Sequence, residues 1–150
     1  PVSAATPMGI VCKANVDAAA NADGYEWMLY VVGSNIRFLV ARGGGGSGTN
    51  SATVTSDVSF TLNAWNYVEG YYDDAGTIGV VVNGTVKTAA STTVPGTSTG
   101  AVRIGSIASG GSYFDGRVDE VAFWKRLLTT DERAAQYNGG AGRAPSFLAG

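Results

Sequence analysis

The chain has 150 residues, 45% hydrophobic and only 15% charged, with 22 glycines and a formal charge of −2. That length fits one domain able to bury a real core, and the low charge fraction excludes a disordered polyelectrolyte. No basic field exists to hold nucleic-acid phosphates or an anionic membrane.

Absences narrow the chemistry. There is no histidine, so the usual general base, the usual zinc ligand and the Ser-His-Asp triad are all missing. Cys12 is the only cysteine, which rules out an internal disulfide and a Cys–His nucleophile pair. No apolar run reaches the roughly 20 residues of a membrane span. No signal peptide is visible, and Pro1 in place of an initiator methionine suggests processing or a missing front.

Abundant valine, threonine, serine and glycine predict strands and turns rather than a helical bundle. In chain order, Gly9–Lys13 reads as a short strand. Asn15–Gly24 reads as a connection, although its alanines could make one helical turn. From Tyr25 the period is two: Tyr25, Trp27, Leu29 and Val31 share one face, and Glu26, Met28, Tyr30 and Val32 the other. Gly33-Ser34-Asn35 turns the chain, and Ile36, Phe38 and Val40 continue inward with Arg37 outward, a hairpin signal. Gly43–Gly48 is a glycine-rich loop, with neither the lysine nor the helix of a phosphate-binding loop behind it.

Thr53–Thr55 and Val58–Leu62 alternate as two short strands or one broken strand. Trp65–Tyr72 is an aromatic-rich strand, Asp73–Gly76 a turn, and Thr77–Val82 a strand. Asn83-Gly84 is a strong hairpin signal, because both central residues of a type I′ turn need positive φ. It also makes a glycosylation sequon with Thr85, which the tight turn already explains. Thr85–Thr88 returns, Ser91–Gly100 is a loop, and Ala101–Gly105 is a strand. Phe114–Trp124 reads as the next strand, but Val118 and Phe123 differ in parity, so a bulge or sheet change is expected near Glu120. Thr129-Thr130-Asp131-Glu132 has the form of a capping box. It opens a short helix to about Tyr137, with Ala134, Ala135 and Tyr137 toward the body, stopped by Asn138-Gly139-Gly140. Residues 141–150 read as a loosely held tail.

The ordered set of Trp65–Tyr72, Asn83-Gly84, Arg103-Ile104-Gly105, Tyr113–Val121, Phe123-Trp124, Leu127–Glu132 and Tyr137–Gly140 resembles the laminin-G-like, concanavalin A-like jelly-roll domains of bacterial and phage surface proteins. The resemblance covers roughly Tyr25 to Gly140 and implies one all-β domain over residues 1–150: a two-sheet antiparallel β-sandwich with one short C-terminal helix. Such domains usually open with further strands that pair near the strand before the helix. This chain lacks them, or supplies them from Pro1–Lys13 or from another chain. An uncovered sheet edge invites association, so partner chains of a larger assembly are expected.

The acidic residues are the remaining candidates for chemistry. Glycosidases need two carboxylates about 5–9.5 Å apart. Adjacent strand residues such as Asp119 and Glu120 point to opposite faces, so the reading is non-catalytic. Asp73, Asp74, Asp115 and Asp119 carry oxygens suited to calcium, the one candidate cofactor; the resemblance places Asp119 at the metal position. Equally, Asp73 and Asp74 suit a plain turn and Asp119 a local backbone cap. Trp65 and Trp124 match core positions of the resembled domains. Tyr25, Tyr30, Tyr72 and Tyr113 are expected near strand ends or loops. Tyr72, Asp73, Asp74 and Tyr113 are therefore the candidate glycan-binding residues. The functional expectation is a structural or adhesion module on an extracellular or virion surface, or alternatively a carbohydrate-binding module of a secreted enzyme.

Overall fold

A computed structural model describes residues 7–14, 25–42, 51–97, 99–107 and 112–142. Eight of the expected strands are there: β1 (Met8–Ala14), β2 (Tyr25–Val32), β3 (Asn35–Ala41), β4 (Ser51–Ser59), β5 (Val68–Asp73), β6 (Thr77–Val82), β7 (Thr85–Ala90) and β8 (Val102–Ile104). They form two antiparallel sheets, ordered β4-β3-β2-β1-β8 and β5-β6-β7. One short helix, α1 (Thr130–Tyr137), follows. The architecture is an antiparallel β-sandwich. The connections expected at Asn15–Gly24 and Gly43–Gly48, and the tail beyond residue 142, lie outside the described residues.

The inter-sheet core follows the period-two pattern. Leu29, Val31, Ile36, Phe38, Val40 and Val54 meet Ile78, Val80 and Val82. The other face of the five-stranded sheet is also buried, by Cys12, Met28, Tyr30 and Leu39 with Ile107 from the chain after β8. A sheet covered on both faces explains why β2 reads as a nearly continuous apolar run. Tyr25 departs from its expected face. Ala14 pairs with Tyr25 but Lys13 with Trp27, so Glu26 is bulged and the parity flips there. Tyr25 consequently joins the Met28–Tyr30 side. The buried Glu26 is matched by Lys13 Nζ at 3.0 Å.

Three local rules hold. At the β6–β7 hairpin, Asn83 has φ 48° and Gly84 φ 83°, as a type I′ turn needs. The β4 alternative resolves to a single strand, whose pairing shifts between Arg37 and Asn35. Ser56 accommodates the irregularity: its Oγ accepts from Ile36 N–H at 3.1 Å and donates to Val58 C=O at 2.7 Å. The capping box forms: Glu132 N–H donates to Thr129 Oγ1 at 3.2 Å, and Thr129 N–H to Glu132 Oε2 at 2.8 Å. Arg126 also grips Glu132, with nitrogen–oxygen distances of 2.6 and 2.7 Å. The Arg126 hydrogen bonds, aided by the Thr129 amide, lower the Glu132 pKa to about 2. The depressed value means that this support is complete above the unfolded value and fades as pH falls toward 2. Thr129→Ala should cost about 1 kcal/mol, read from the urea midpoint. An unchanged midpoint would show that the cap is irrelevant to global stability.

Three expectations fail. Phe114–Trp124 is not a strand. After the Ser106–Tyr113 bridge the chain runs on without ladder pairing, and Glu120 sits in the left-handed region at φ 51°. Trp65 and Trp124, expected in the core, are 62% and 52% exposed, because among the described residues no neighbouring strand encloses that side. The helix also turns differently. Ala134 and Ala135 are exposed, while Arg133 and Tyr137 are half-buried.

Candidate functional site

Tyr72, Asp73 and Asp74 lie where β5 runs into its turn. Asp73 Oδ1 accepts from Thr77 N–H at 2.9 Å, and its carbonyl from Gly76 N–H at 3.1 Å. Asp73 is thus the turn's internal cap, and Asp74 is exposed. Tyr72 is not on a loop. It sits within β5 and packs half-buried against the inter-sheet core, since Val68, Gly70 and Tyr72 share the inward parity. Tyr30 and Tyr25 are buried as well, which withdraws them from the surface. Tyr113 does stand out, 68% exposed.

Tyr113 and the Asp73 turn are not brought together. Phe114, next to Tyr113, lines one cleft with Val68, at the start of β5. Asp73 ends that six-residue strand, about 17 Å away at the usual rise.

Asp119 Oδ1 accepts the Glu120 amide at 2.8 Å, and Asp119 lines the same cleft. Among the described residues no three acidic, histidine or cysteine side chains gather to hold a metal ion.

Two features lay beyond the sequence reading. The first is the cleft, an open space of about 600 Å³. Ile10, Val31 and Ile36 line it, with Trp65 and Val68 from one part of the chain and Phe114, Arg117 and Val118 from another. The stretch 121–127 that follows carries Val121, Phe123, Trp124 and Leu127, all exposed. The second is a polar cluster on the outer face of β5. Arg133 Nε donates to both Glu69 oxygens, at 3.0 and 3.2 Å. Its guanidinium lies 4.4 Å over the Tyr71 ring. Tyr67 Oη donates to Glu69 Oε2 at 3.0 Å, and Tyr137 stacks near Tyr67 with ring centroids 6.1 Å apart. Burial first, then the Glu69 charge, push the Tyr67 phenol well above its ordinary value. Burial likewise raises Tyr71, against the opposing pull of Arg133. The available signal was parity: Tyr67, Glu69 and Tyr71 alternate on one face.

Among the described residues no helix is long and apolar enough to cross a membrane. No curated protein matches the chain. An S-layer domain-containing protein from Clostridium thermocellum (its residues 221–444) is similar in structure, with 20% identity and a TM-score of 0.48. The match covers 82% of this chain but 59% of that one. The laminin-G-like family profile, described as the concanavalin A-like lectin/glucanases superfamily, matches residues 6–132. With a two-sheet antiparallel sandwich and a match over most of its length, the chain belongs to the concanavalin A-like lectin/glucanase superfamily, in its laminin-G-like branch.

Proposed function

We propose that the protein is a non-catalytic structural or adhesion module of a larger extracellular or virion assembly. The observation that carries this is the exposed stretch 121–127, with Val121, Phe123, Trp124 and Leu127 open to solvent. Scattered apolar residues are normal on a surface, but a concentrated run with aromatic rings favours burial against another molecule. Superfamily membership supports a surface role, and Asp73 and Asp119 are occupied in local backbone turns. The chain should therefore associate in its working state. Sedimentation equilibrium should show concentration-dependent association of a folded protein. A stable monomer at high concentration overturns the reading.

A second reading, a carbohydrate-binding module, is favoured by the exposed rings of Tyr113, Trp65 and Trp124, which offer faces for stacking on sugars. Each stacking or hydrogen-bonding group exchanges for water contacts and contributes roughly 1 kcal/mol net. One site then reaches about −4 kcal/mol, near millimolar, and is useful only in many copies. Displayed multivalently on a glycan array, the protein should lose retention on Tyr113→Ala with its fold intact. Tyr72→Ala should instead lower stability, because that ring packs inward. Absence of any glycan retention by the unmodified chain removes this second reading.

A further inference from the structure

Two asparagines of the chain precede a glycine: Asn83-Gly84 and Asn138-Gly139. Glycine leaves its amide nitrogen unshielded by a side chain, within reach of the preceding Cγ through a five-membered ring. Closing that ring requires the asparagine side chain and its ψ to rotate, so the fold decides which pair reacts. Asn83 is tied to distant parts of the chain. Its Oδ1 accepts from Tyr67 N–H at 2.9 Å, its Nδ2 donates to Asn66 Oδ1 at 3.0 Å, and its own N–H donates to Tyr67 C=O at 2.9 Å. Val82 pairs with Thr85 across the turn, so Asn83 cannot rotate without opening the β6–β7 ladder. Asn138 is the exposed C-cap of α1, and its bonds are all local. Its N–H donates to Ala134 C=O, its Nδ2 to Gly142 C=O at 3.0 Å, and its carbonyl accepts from Ala141 N–H at 3.1 Å. Local bonds at an exposed helix end open at little free-energy cost, without opening the sheets. Gly139 and Gly140 follow, with φ of 62° and 95°, and glycine rotates with the least steric hindrance.

We propose that Asn138 is a site of spontaneous deamidation in the folded protein, while the fold protects Asn83. The Gly139 nitrogen gives up its proton to hydroxide and attacks Asn138 Cγ. The N–Cγ bond forms, the Cγ–Nδ2 bond breaks, and Nδ2 leaves as ammonia with a proton taken from water. Water then opens the ring at either carbonyl, leaving an aspartyl or isoaspartyl residue at position 138. Water is the sole co-reactant. The product changes how the chain leaves α1. The group that donated to Gly142 C=O becomes a carboxylate with no proton to donate. Glu120 Oε2 borders Gly142, where an added Cβ would stand 3.1 Å from it, so the new charge arises near one of the same sign. It also arises at a helix C-terminus, where the macrodipole disfavours an anion. The Asn138–Gly142 bond therefore opens, and the Ala141 N–H bond beside it loosens. Deamidation at position 138 thus unfastens residues 141–142 from the end of α1.

The test incubates the full chain at mildly alkaline pH, folded and in urea, and follows both asparagines by peptide mass mapping. In the folded chain Asn138 should convert at least about tenfold faster than Asn83, whose longer-range hydrogen bonds must break first. In urea the two rates should draw together. The rate at Asn138 should rise with pH, because the attacking nitrogen must lose its proton. Asn138→Gln, which would have to close a six-membered ring, should hold its mass. Asn138→Asp supplies the charged product directly. Its Ala141 amide should exchange faster than in the unmodified chain, and adding Glu120→Gln should restore part of the protection. Equal rates at the two asparagines of the folded chain, or no conversion of Asn138 under conditions that convert it in urea, overturns the site. Unchanged exchange at Ala141 in Asn138→Asp overturns the unfastening.

Discussion

Gly9→Ala should be among the most damaging single-methyl additions to this protein. A Cβ at Gly9 would stand 2.5 Å from both Ile107 N and Ser106 C. These are backbone atoms held in place: Gly105 N–H donates to Ile10 C=O at 2.8 Å, and Gly9 N–H to Ser112 C=O at 3.2 Å. A flexible side chain could swing away, but a tethered backbone cannot. Overpacking of a tight site costs up to about 3 kcal/mol, occasionally more, and the upper end is expected here. Gly33→Ala is the control. Its φ is +60° but nothing lies within 4 Å, so only the left-handed torsion costs, about 1–2 kcal/mol. Urea midpoints should therefore rank Gly9→Ala well below Gly33→Ala. Equal midpoints would show that the chain after β8 does not press on β1.

The same contrast between local and distant causes decides what was legible in the sequence. Asn83-Gly84 and Thr129–Glu132 are self-contained, since their turn and cap need only residues within a few positions. Both formed as read. The two-faced burial of β1–β3 was written in the apolar run of β2, but the bulge at Glu26 was not. A bulge belongs to a pair of strands, and the pairing is invisible to a single strand's parity. Phe114–Trp124 fails for a related reason. Its residues have the composition of a strand, yet a strand exists only if a neighbour supplies the ladder. The parity break at Glu120 was nonetheless legible, and the backbone there is left-handed.

The candidate site was legible only in fragments. Asp73, Asp74 and Tyr113 were expected on turns or loops. Asp73 and Asp74 occupy the β5–β6 turn, and Tyr113 is exposed at its bridge. Tyr72 was expected near a strand end or loop and stands one residue from the end of β5, but its ring is turned inward. Gly70 shows why it faces inward: its missing side chain leaves room for Phe38, which fixes that parity toward the core. Trp65 and Trp124 were assigned to the interior from the resemblance. Burying them takes a neighbour on the β5 edge that the described residues lack. The cluster of Glu69 with Arg133 spans 64 positions, a separation over which spacing carries no information.

That cluster sets the largest expected effect of removing a side chain. Helix α1 has no buried residue of its own, so apolar packing cannot be what seats it. Arg133 and Tyr137 are its anchors: Arg133 bonds Glu69 and covers Tyr71, and Tyr137 meets Tyr67. The two ion-pair partners are only 17% and 14% exposed, so little screening by water weakens the pair. Arg133→Ala leaves Glu69 half-enclosed without its cation and strips the Tyr71 face. Breaking a pair of this kind costs about 3 kcal/mol. Arg133 Nη2 is itself buried without a hydrogen-bond partner, which trims the net gain of the intact pair and keeps the estimate at the low end. A double change, Arg133→Met with Glu69→Gln, removes both charges while keeping bulk, and should recover at least about 1 kcal/mol of the loss. Amide exchange should separate local from global failure. In Arg133→Ala, residues 131–137 should exchange faster than the strands, because the helix detaches before the sandwich opens. If the helix amides exchange together with β2 and β3, α1 is part of the cooperative core and its seating does not depend on Arg133.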